Sequence, residues 1–412
     1  MYLPRGLPPR PGVGGGARGG RSRGGQFGKK SYTGVSWKKY WTRKQFVSTE
    51  TGTFCVYHGG CSESSVTLCL LHGAGYSALT WSVMTQHLLT LANVRVLALD
   101  LRGHGETRLN CEDDAPGDDI DMSGAAMAKD VIDVLKTLYS DTDMGVILMG
   151  HSMGGALAAQ VAELDVPGLL GLVVEDVVEG TAMDALAGMH TVLQNRPKQF
   201  QSLEQAVEWC VRSGQVRNLE SARVSMPGQV VTTSLELGAK LIEDKEEDTG
   251  DNNPAPAKRE KIEPDNSIKE EEEETEDSNN TNNCGFKKPT LPTTTEVDRT
   301  PPETFTGPQV FKWRIDLSRT EPHWTGWFQG LSQRFLTTPG AKLLLLAGVD
   351  RLDRDLTVGQ MQGKFQMQVL PQVGHTVHED SPDRVAELLA SFLIRNKFCQ
   401  ALDSFTPTFP GC

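Results

Sequence analysis

The chain has 412 residues, a formal net charge of −12 and 38% hydrophobic residues, so it can bury either one large α/β domain with a cap or two ordinary domains. The charge is uneven, because residues 1–44 carry eleven Lys or Arg and no acidic residue, whereas residues 243–277 carry sixteen acidic and five basic side chains. The remaining body is also acidic, which argues against nucleic acid as the main partner.

The eight cysteines are scattered without CxxC pairs, which is typical of a reducing compartment and unlike the common zinc spacings. No cluster of metal ligands occurs in the sequence, so we expect neither a metal nor a cofactor. The N-terminus lacks an apolar h-region, and no run of about 18 apolar residues occurs, so neither a secretory signal nor a membrane span is expected. We therefore expect a soluble protein of the cytoplasm, the nucleus or both.

Residues 1–30 consist mainly of Gly, Arg and Pro and have almost nothing to bury, so we expect a disordered basic tail. Arg18-Gly19-Gly20-Arg21 and Arg23-Gly24-Gly25 resemble an RGG patch, a feature of nucleic-acid binding or nuclear import. A solvated basic tail explains the same residues equally well.

Apolar runs that end in turns predict buried strands, and helical patterns lie between them. The predicted strands are Phe54–Tyr57, Val66–Leu71, Val94–Leu99, Met144–Met149, Leu169–Val174, Lys342–Ala347 and Phe365–Leu370. The predicted helices are Ala78–Leu91, Ser123–Tyr139, the segment after residue 154, and Pro382–Phe398. Alternating strands and helices indicate an α/β fold with a mostly parallel central sheet flanked by helices.

The strand at Leu169–Val174 and the next one at Lys342–Ala347 are too far apart for a simple crossover. We therefore divide the chain into a first core part at 31–180, a helical cap at 181–337 and a second core part at 338–412. Within the cap, about 233–308 is rich in Glu, Asp, Asn, Thr and Pro, which predicts a long, disordered acidic insert.

The most informative motif is Gly150-His151-Ser152-Met153-Gly154, which joins a predicted strand to a small-residue helix. A strand, a Gly-x-Ser-x-Gly turn and a helix form the nucleophile elbow of the α/β-hydrolase fold. In this interpretation Ser152 is the nucleophile, and the Met153 amide points at the developing oxyanion. A buried serine in an ordinary strand-to-helix loop is the alternative.

A serine nucleophile needs a general base, and in this fold the base is a histidine after the last strand. His375 in Val373-Gly374-His375 is the candidate, and His378 is its rival, which is more simply explained by packing or solvent exposure. The acid is open. Asp350 or Asp353 follows the penultimate strand, where the acid is most often found, whereas Asp176 follows the strand after the elbow. Position alone favours Asp350 or Asp353.

His72-Gly73-Ala74-Gly75 follows the strand at Val66–Leu71, where a second oxyanion amide is normally found, and Ala74 is the expected donor. The charged residues of the Asp100–Gly105 turn are expected to brace the loops. These motifs occur in the order and at the strand ends of an α/β-hydrolase, so they predict acyl transfer without identifying the ester.

Further stretches of the chain are distinctive beyond this superfamily. They are Ser123–Asp130, Glu175–Leu186, Asn218–Met226, Leu343–Asp350, Gly359–Pro371 and Phe409–Cys412. Together they closely resemble the protein phosphatase methylesterases, from about residue 31 to the end apart from the acidic insert. The resemblance implies hydrolysis of the methyl ester on the C-terminal leucine of the phosphatase 2A catalytic subunit.

The resemblance also maps the nucleophile onto Ser152, the base onto His375 and the acid onto Asp176, against the preference from position. It further implies that an isolated enzyme of this family holds its triad misaligned until the partner binds. Candidate residues for lining the groove that receives the phosphatase tail are Met183, Leu186, Trp324, Trp327 and Phe328, although packing within the cap explains the aromatic residues equally well.

Leu241-Ile242-Glu243, before an acidic run, is either a docking motif for a phosphatase regulatory subunit or a solvated linker. Two other functions are open at this point: a general carboxylesterase acting on small esters, and a phosphatase-binding protein without catalysis.

Overall fold

The computed structural model describes residues 31–110, 120–139, 144–164, 166, 168–232, 310–348, 352–402 and 405–408. The predicted disordered tail at 1–30, the acidic insert at about 233–308 with Leu241–Glu243, and Asp350 lie outside these ranges.

A mostly parallel sheet forms the centre of the described chain. Its main strands are β1 (Arg43–Ser48), β2 (Gly52–Gly60), β3 (Val66–Leu71), β4 (Arg95–Leu99), β5 (Gly145–His151), β6 (Leu169–Glu175), β7 (Ala341–Leu346) and β8 (Gln366–Val369). They are arranged in the order β1-β2-β4-β3-β5-β6-β7-β8. The pairs β1–β2 and β2–β4 are antiparallel, and every pair from β4 to β8 is parallel.

Helices and 3₁₀ turns connect these strands. The α-helices are α1 (Ser82–Leu88), α2 (Gly124–Tyr139), α3 (Met153–Glu163), α4 (Glu179–Gln194), α5 (Leu203–Ser213), α6 (Leu219–Gln229), α7 (Trp324–Phe328), α8 (Leu331–Thr337), α9 (Arg354–Met361), α10 (Val377–Asp380) and α11 (Pro382–Arg395). The 3₁₀ turns are Trp37–Lys39, Ala78–Trp81 and Leu317–His323. The helices of the described ranges all fall short of the length and apolarity that a bilayer span needs.

Both faces of the sheet are buried, and β3 shows why. Its side chains alternate between faces, so Cys69 and Leu71 belong to one apolar cluster, while Leu68 and Leu70 belong to the other. The first cluster includes side chains of α2 and α3, and the second includes side chains of α1 and α11. A strand buried on both faces is apolar at nearly every position, with Thr67 as the exception in β3, which explains the continuous runs in the sequence.

The predicted strands are confirmed to within a few residues at each end, and the predicted α/β architecture is confirmed with them. The predicted helix at Ala78–Leu91 begins as a 3₁₀ turn and continues as α1. β1 and α9 were not predicted from the sequence.

The described part of the chain between β6 and β7 contains a small antiparallel sheet that was not predicted either. Its strands are Gln199–Phe200, Val230–Thr232 and Phe311–Trp313, with the last of these in the middle. In the register, Val230 pairs with Trp313 and Thr232 pairs with Phe311, on the two sides of the undescribed segment. This sheet and helices α5 and α6 share a third apolar cluster, which contains Phe200, Cys210 and Met226.

Candidate active site

The turn between β5 and α3 holds Ser152 in a conformation that L-residues rarely adopt, with φ 53° and ψ −121°. The flanking glycines make this turn possible. A Cβ atom on Gly150 would lie 2.0 Å from the carbonyl oxygen of Gly154, and one on Gly154 would lie 2.3 Å from the carbonyl oxygen of Leu71. Any side chain at either position would therefore force the turn open.

Ser152, His375 and Asp176 lie together at the carboxyl ends of the strands. The Oγ of Ser152 is 3.0 Å from the Nε2 of His375, and the Nδ1 of His375 is 2.8 Å from the Oδ2 of Asp176. The Asp176 side chain is fully buried, whereas 22% of the His375 side chain is exposed. In this structure the three groups are already aligned, in contrast to the misaligned arrangement that the resemblance implies for an isolated enzyme.

Asp176 is held from several directions, as an orienting carboxylate must be. It follows β6 with a positive φ of 50°, and its amide donates to the carbonyl of Leu345 at 2.8 Å. Its Oδ1 accepts from the amide of Ala347 at 2.9 Å, which leaves Oδ2 directed at His375. The second carboxylate oxygen therefore cannot swing away from the imidazole without losing a backbone hydrogen bond.

The preference for Asp350 or Asp353 from position is not supported for Asp353. Its Oδ1 accepts from the amide of Leu356 at 2.9 Å and caps helix α9, and its Oδ2 contacts the hydroxyl of Ser332. These bonds give Asp353 a structural role as an N-cap. Asp350 lies outside the described residues.

The rival histidine is turned away from Ser152 and is completely buried. The Nδ1 of His378 donates to the Oε1 of Glu175 at 2.7 Å, and its Nε2 lies 2.8 Å from the hydroxyl of Thr80. Burial lowers the pKa of His378 to about 3, so this imidazole is neutral. Packing, rather than general-base chemistry, therefore explains His378.

The two amides expected to form the oxyanion hole start from different elements. Met153 is the first residue of α3, and Ala74 lies in the loop after β3. Within the described ranges neither amide donates a hydrogen bond to another residue, although the next amide, that of Gly75, donates to the Nε2 of His104 at 2.9 Å. Both amides are thus available as donors, as the expected oxyanion hole requires.

The turn after β4 braces this loop, as the sequence predicted. The Asp100 carboxylate accepts from the amides of Ala78 at 2.7 Å and Glu106 at 2.9 Å, and burial raises its pKa to about 6. The guanidinium of Arg102 forms a two-point ion pair with the buried carboxylate of Asp130, at 2.5 and 2.7 Å. These charged groups form structural contacts and are not directed at Ser152.

The aromatic candidates for substrate binding are buried in this structure. Trp324, Trp327 and Phe328 are 4%, 2% and 5% exposed, and the Nε1 of Trp327 donates to the carbonyl of Met122 at 2.7 Å. Packing within the apolar core accounts for all three rings. Met183 and Leu186, on helix α4, are only partly buried and remain candidates for contacting a substrate.

The sequence did not reveal how His375 is supported. The Nε2 of His151 donates to the carbonyl oxygen of His375 at 2.9 Å, and burial lowers the pKa of His151 to about 3. His151 fills the variable position of the Gly-x-Ser-x-Gly motif, so the motif itself gives no signal of this contact. Glu175, Thr80 and Glu379 form a buried polar cluster around His378 that was also missed.

The described residues contain no group of three or more His, Cys, Asp or Glu side chains placed to hold a metal ion. The aligned Ser, His and carboxylate can carry out nucleophilic acyl transfer through a covalent intermediate.

Comparisons with known proteins agree with this geometry. Residues 70–246 and 279–388 match the model of the alpha/beta hydrolase family. A Mus musculus protein named protein phosphatase methylesterase 1 is 48% identical over 98% of this chain and 96% of its own length. A Schizosaccharomyces pombe protein of the same name is 34% identical over 88% of this chain and 85% of its own. Among solved structures, an E-2-(acetamidomethylene)succinate hydrolase superposes with a TM-score of 0.55 at 14% identity, covering 85% of this chain and 99% of that one, and shares the fold.

Proposed function

The chain belongs to the protein phosphatase methylesterase 1 family of α/β-hydrolases, and from this membership we propose that it removes the methyl ester from the C-terminal leucine of the phosphatase 2A catalytic subunit. It is a serine hydrolase of the carboxylesterase class. The observation that carries the proposal is the hydrogen-bonded series Ser152, His375 and Asp176, in which Ser152 lies on the nucleophile elbow.

In the proposed reaction the Oγ of Ser152 attacks the ester carbonyl carbon while the Nε2 of His375 takes the hydroxyl proton. Asp176 holds the imidazole in the tautomer that accepts this proton and stabilises the imidazolium that forms. The amides of Met153 and Ala74 bind the negative oxygen of the tetrahedral intermediate.

Collapse of the intermediate breaks the bond to the methoxy group, which leaves as methanol with the proton from His375. Water then attacks the acyl-enzyme, with His375 again acting as the base. This second step regenerates Ser152 and releases the free carboxylate of the leucine.

The partner of the reaction is, in this proposal, a protein phosphatase, and Met183 and Leu186 on helix α4 contact its tail. We extend the proposal to regulatory subunits that contact the acidic insert, and to a location in the cytoplasm, the nucleus or both. The composition of the insert and of the basic tail supports these extensions.

The test is to incubate the protein with carboxymethylated phosphatase 2A and to follow methanol release and loss of the methylated tail. Wild-type protein should demethylate the phosphatase, and Ser152→Ala should be inactive while still binding it. Ser65→Ala is the matched control, because Ser65 is exposed and lies beside the opposite end of β3 from the elbow.

Equal activity of Ser152→Ala and wild type would overturn the proposed nucleophile. Hydrolysis of small esters without demethylation of the phosphatase would favour a general carboxylesterase, and binding without any hydrolysis would favour a non-catalytic partner.

A further inference from the structure

Arg196 is a charged residue beside the site that the reaction described above does not use. Helix α4 ends at Gln194, and Arg196 lies two residues beyond it. The residue is only partly exposed, and burial lowers the pKa of its guanidinium from the usual value. An arginine side chain nevertheless stays charged at neutral pH, so this charge needs a structural or functional explanation.

The guanidinium of Arg196 has no acidic partner in the described part of the chain. No hydrogen bond or ion pair joins its N–H groups to another described residue. The titratable groups that act on it electrostatically are the Tyr76 hydroxyl and the Cys210 thiol. Burial raises the pKa of both groups, which keeps them neutral. A largely buried charge without a counter-ion is costly in a folded protein, and its five N–H donors are available to a ligand.

The indole of Trp313 holds this guanidinium in one plane. The central carbon of the guanidinium lies 3.8 Å from the centroid of the Trp313 ring. The indole is itself fixed, because its Nε1 donates to the carbonyl of Pro197 at 2.7 Å and the rings of Phe200 and Trp209 pack edge to face against it. A stacked guanidinium keeps its N–H groups in its own plane, where two of them can bind one carboxylate.

The guanidinium also lies against the loop that carries the expected oxyanion donor. A Cβ atom on Gly75 would lie 3.7 Å from the Nη1 of Arg196. Gly75 directly follows Ala74, so bond lengths alone place Nη1 within about 10 Å of the Ala74 amide. The ring of Tyr76 packs edge to face against His151, with centroids 5.8 Å apart, and the Tyr76 hydroxyl forms no hydrogen bond to another described residue.

A peptide ester bound at the Ala74 amide has its preceding residues within reach of this guanidinium, because an extended chain rises about 3.3 Å per residue. We propose that Arg196 is a specificity residue that binds a carboxylate side chain one to three residues before the esterified leucine, with the Tyr76 hydroxyl as a second donor. This inference rests on the proposed function and deepens it, since it states which tails the site accepts. A small neutral ester lacks the carboxylate and leaves the guanidinium unpaired.

The test measures binding and needs no turnover. Full-length Ser152→Ala protein would be titrated with fluorescein-labelled peptides that end in leucine methyl ester, and binding would be followed by fluorescence anisotropy. The peptides carry one aspartate, or one asparagine in its place, at each of the three positions before the leucine. At one position the aspartate peptide should bind about tenfold more tightly than its asparagine counterpart, and added salt should reduce the difference.

Arg196→Gln in the same background should remove the preference for aspartate and leave the affinity for the asparagine peptide unchanged. A purely structural role would weaken the binding of both peptides equally. Arg212→Gln on helix α5 is the matched control and should keep the preference, because that guanidinium is mostly exposed and pairs with Glu208. Tyr76→Phe keeps the ring against His151 and should weaken the preference about fivefold, which covers the case in which Arg196→Gln does not fold.

Equal affinity for the aspartate and asparagine peptides at all three positions, or a preference that survives in Arg196→Gln, would overturn the proposal. Tighter binding of a peptide with a free leucine carboxylate and no aspartate, lost in Arg196→Gln, would also overturn it, because the guanidinium would then bind the product. Demethylation of phosphatase 2A by wild-type protein is measured separately. Its absence would count against the proposed function, whatever the peptides show.

Discussion

Replacing Asp176 by asparagine tests the geometry of the site with almost no change in shape. The amide of Ala347 donates to Oδ1 at 2.9 Å, so the oxygen of the asparagine will occupy that position and its NH₂ group will face His375. An NH₂ donor beside Nδ1 favours the tautomer that carries its proton on Nε2. That tautomer donates to Ser152 and cannot take its proton.

We therefore expect kcat of Asp176→Asn to fall by about 10⁴-fold, equivalent to about 5 kcal/mol of lost transition-state stabilisation. The assay is methanol release from carboxymethylated phosphatase 2A under saturating substrate, with thermal unfolding measured in parallel. The fall should be in kcat rather than in KM, because the carboxylate acts on the imidazole and not on the substrate.

Asp353→Asn is the matched control. It keeps a capping side chain on helix α9, so we expect less than about 1 kcal/mol of destabilisation and kcat close to wild type. An inactive Asp353→Asn together with an active Asp176→Asn would refute the assignment of the acid and the reasoning from hydrogen bonds behind it.

Two further predictions concern stability. Gly150→Ala should lower the free energy of unfolding by about 3 kcal/mol or more in chemical denaturation and abolish activity, because its Cβ would lie 2.0 Å from the Gly154 carbonyl oxygen. Gly188→Ala in helix α4 is the control: no atom lies within 4 Å of its Cβ, so it should be neutral or stabilising by up to about 1 kcal/mol. Similar losses in the two variants would contradict the steric argument. The second prediction concerns pH. Burial raises the folded-state pKa values of Glu175 and Glu379 to about 7 and 8, so near neutral pH the folded state holds protons that the unfolded state has released. The free energy of unfolding should therefore fall as pH rises from 6.5 to 8, by at most about 1.4 kcal/mol per pH unit for each carboxyl. Below pH 6.5 the buried, neutral His104, His151 and His378 act in the opposite direction, because their side chains bind protons in the unfolded state but not in the folded state, so the free energy of unfolding should also fall on acidification. A free energy of unfolding that rises from pH 6.5 to 8 in the wild type, or that depends on pH equally steeply in Glu379→Gln, would contradict this account.

The central strands, such as β3 and β5, were predictable because they are buried on both faces and are apolar almost throughout, whereas the edge strand β1 has only one buried residue and was missed. The three strands of the small antiparallel sheet, such as Gln199–Phe200, have only two or three residues and show no periodicity that could reveal them. Helix α9, at Arg354–Met361, is mostly exposed and lacks an apolar stripe, so its signal was equally weak.

The candidate site was predictable only in part. Gly150, Ser152 and Gly154 form a local motif whose spacing carries the geometry, so the elbow could be located from sequence. The acid could not, because Asp176 and Asp353 both follow strands, and only the fold shows which one faces His375. Trp324 and Trp327 show the same limit: aromatic content indicates a packed element, but it does not tell a binding groove from a core.

The small antiparallel sheet between β6 and β7 fixes the positions of the residues on either side of the segment 233–309. Thr232 pairs with Phe311, so the described residues on either side of that segment lie on neighbouring strands, about 5 Å apart. For a flexible connection between two paired strands, doubling its length adds only about 0.6 kcal/mol of closure entropy. A change in length or charge between Thr232 and Phe311 therefore does not require Ser152 or His375 to move, because both belong to the described core on the other side of this pairing.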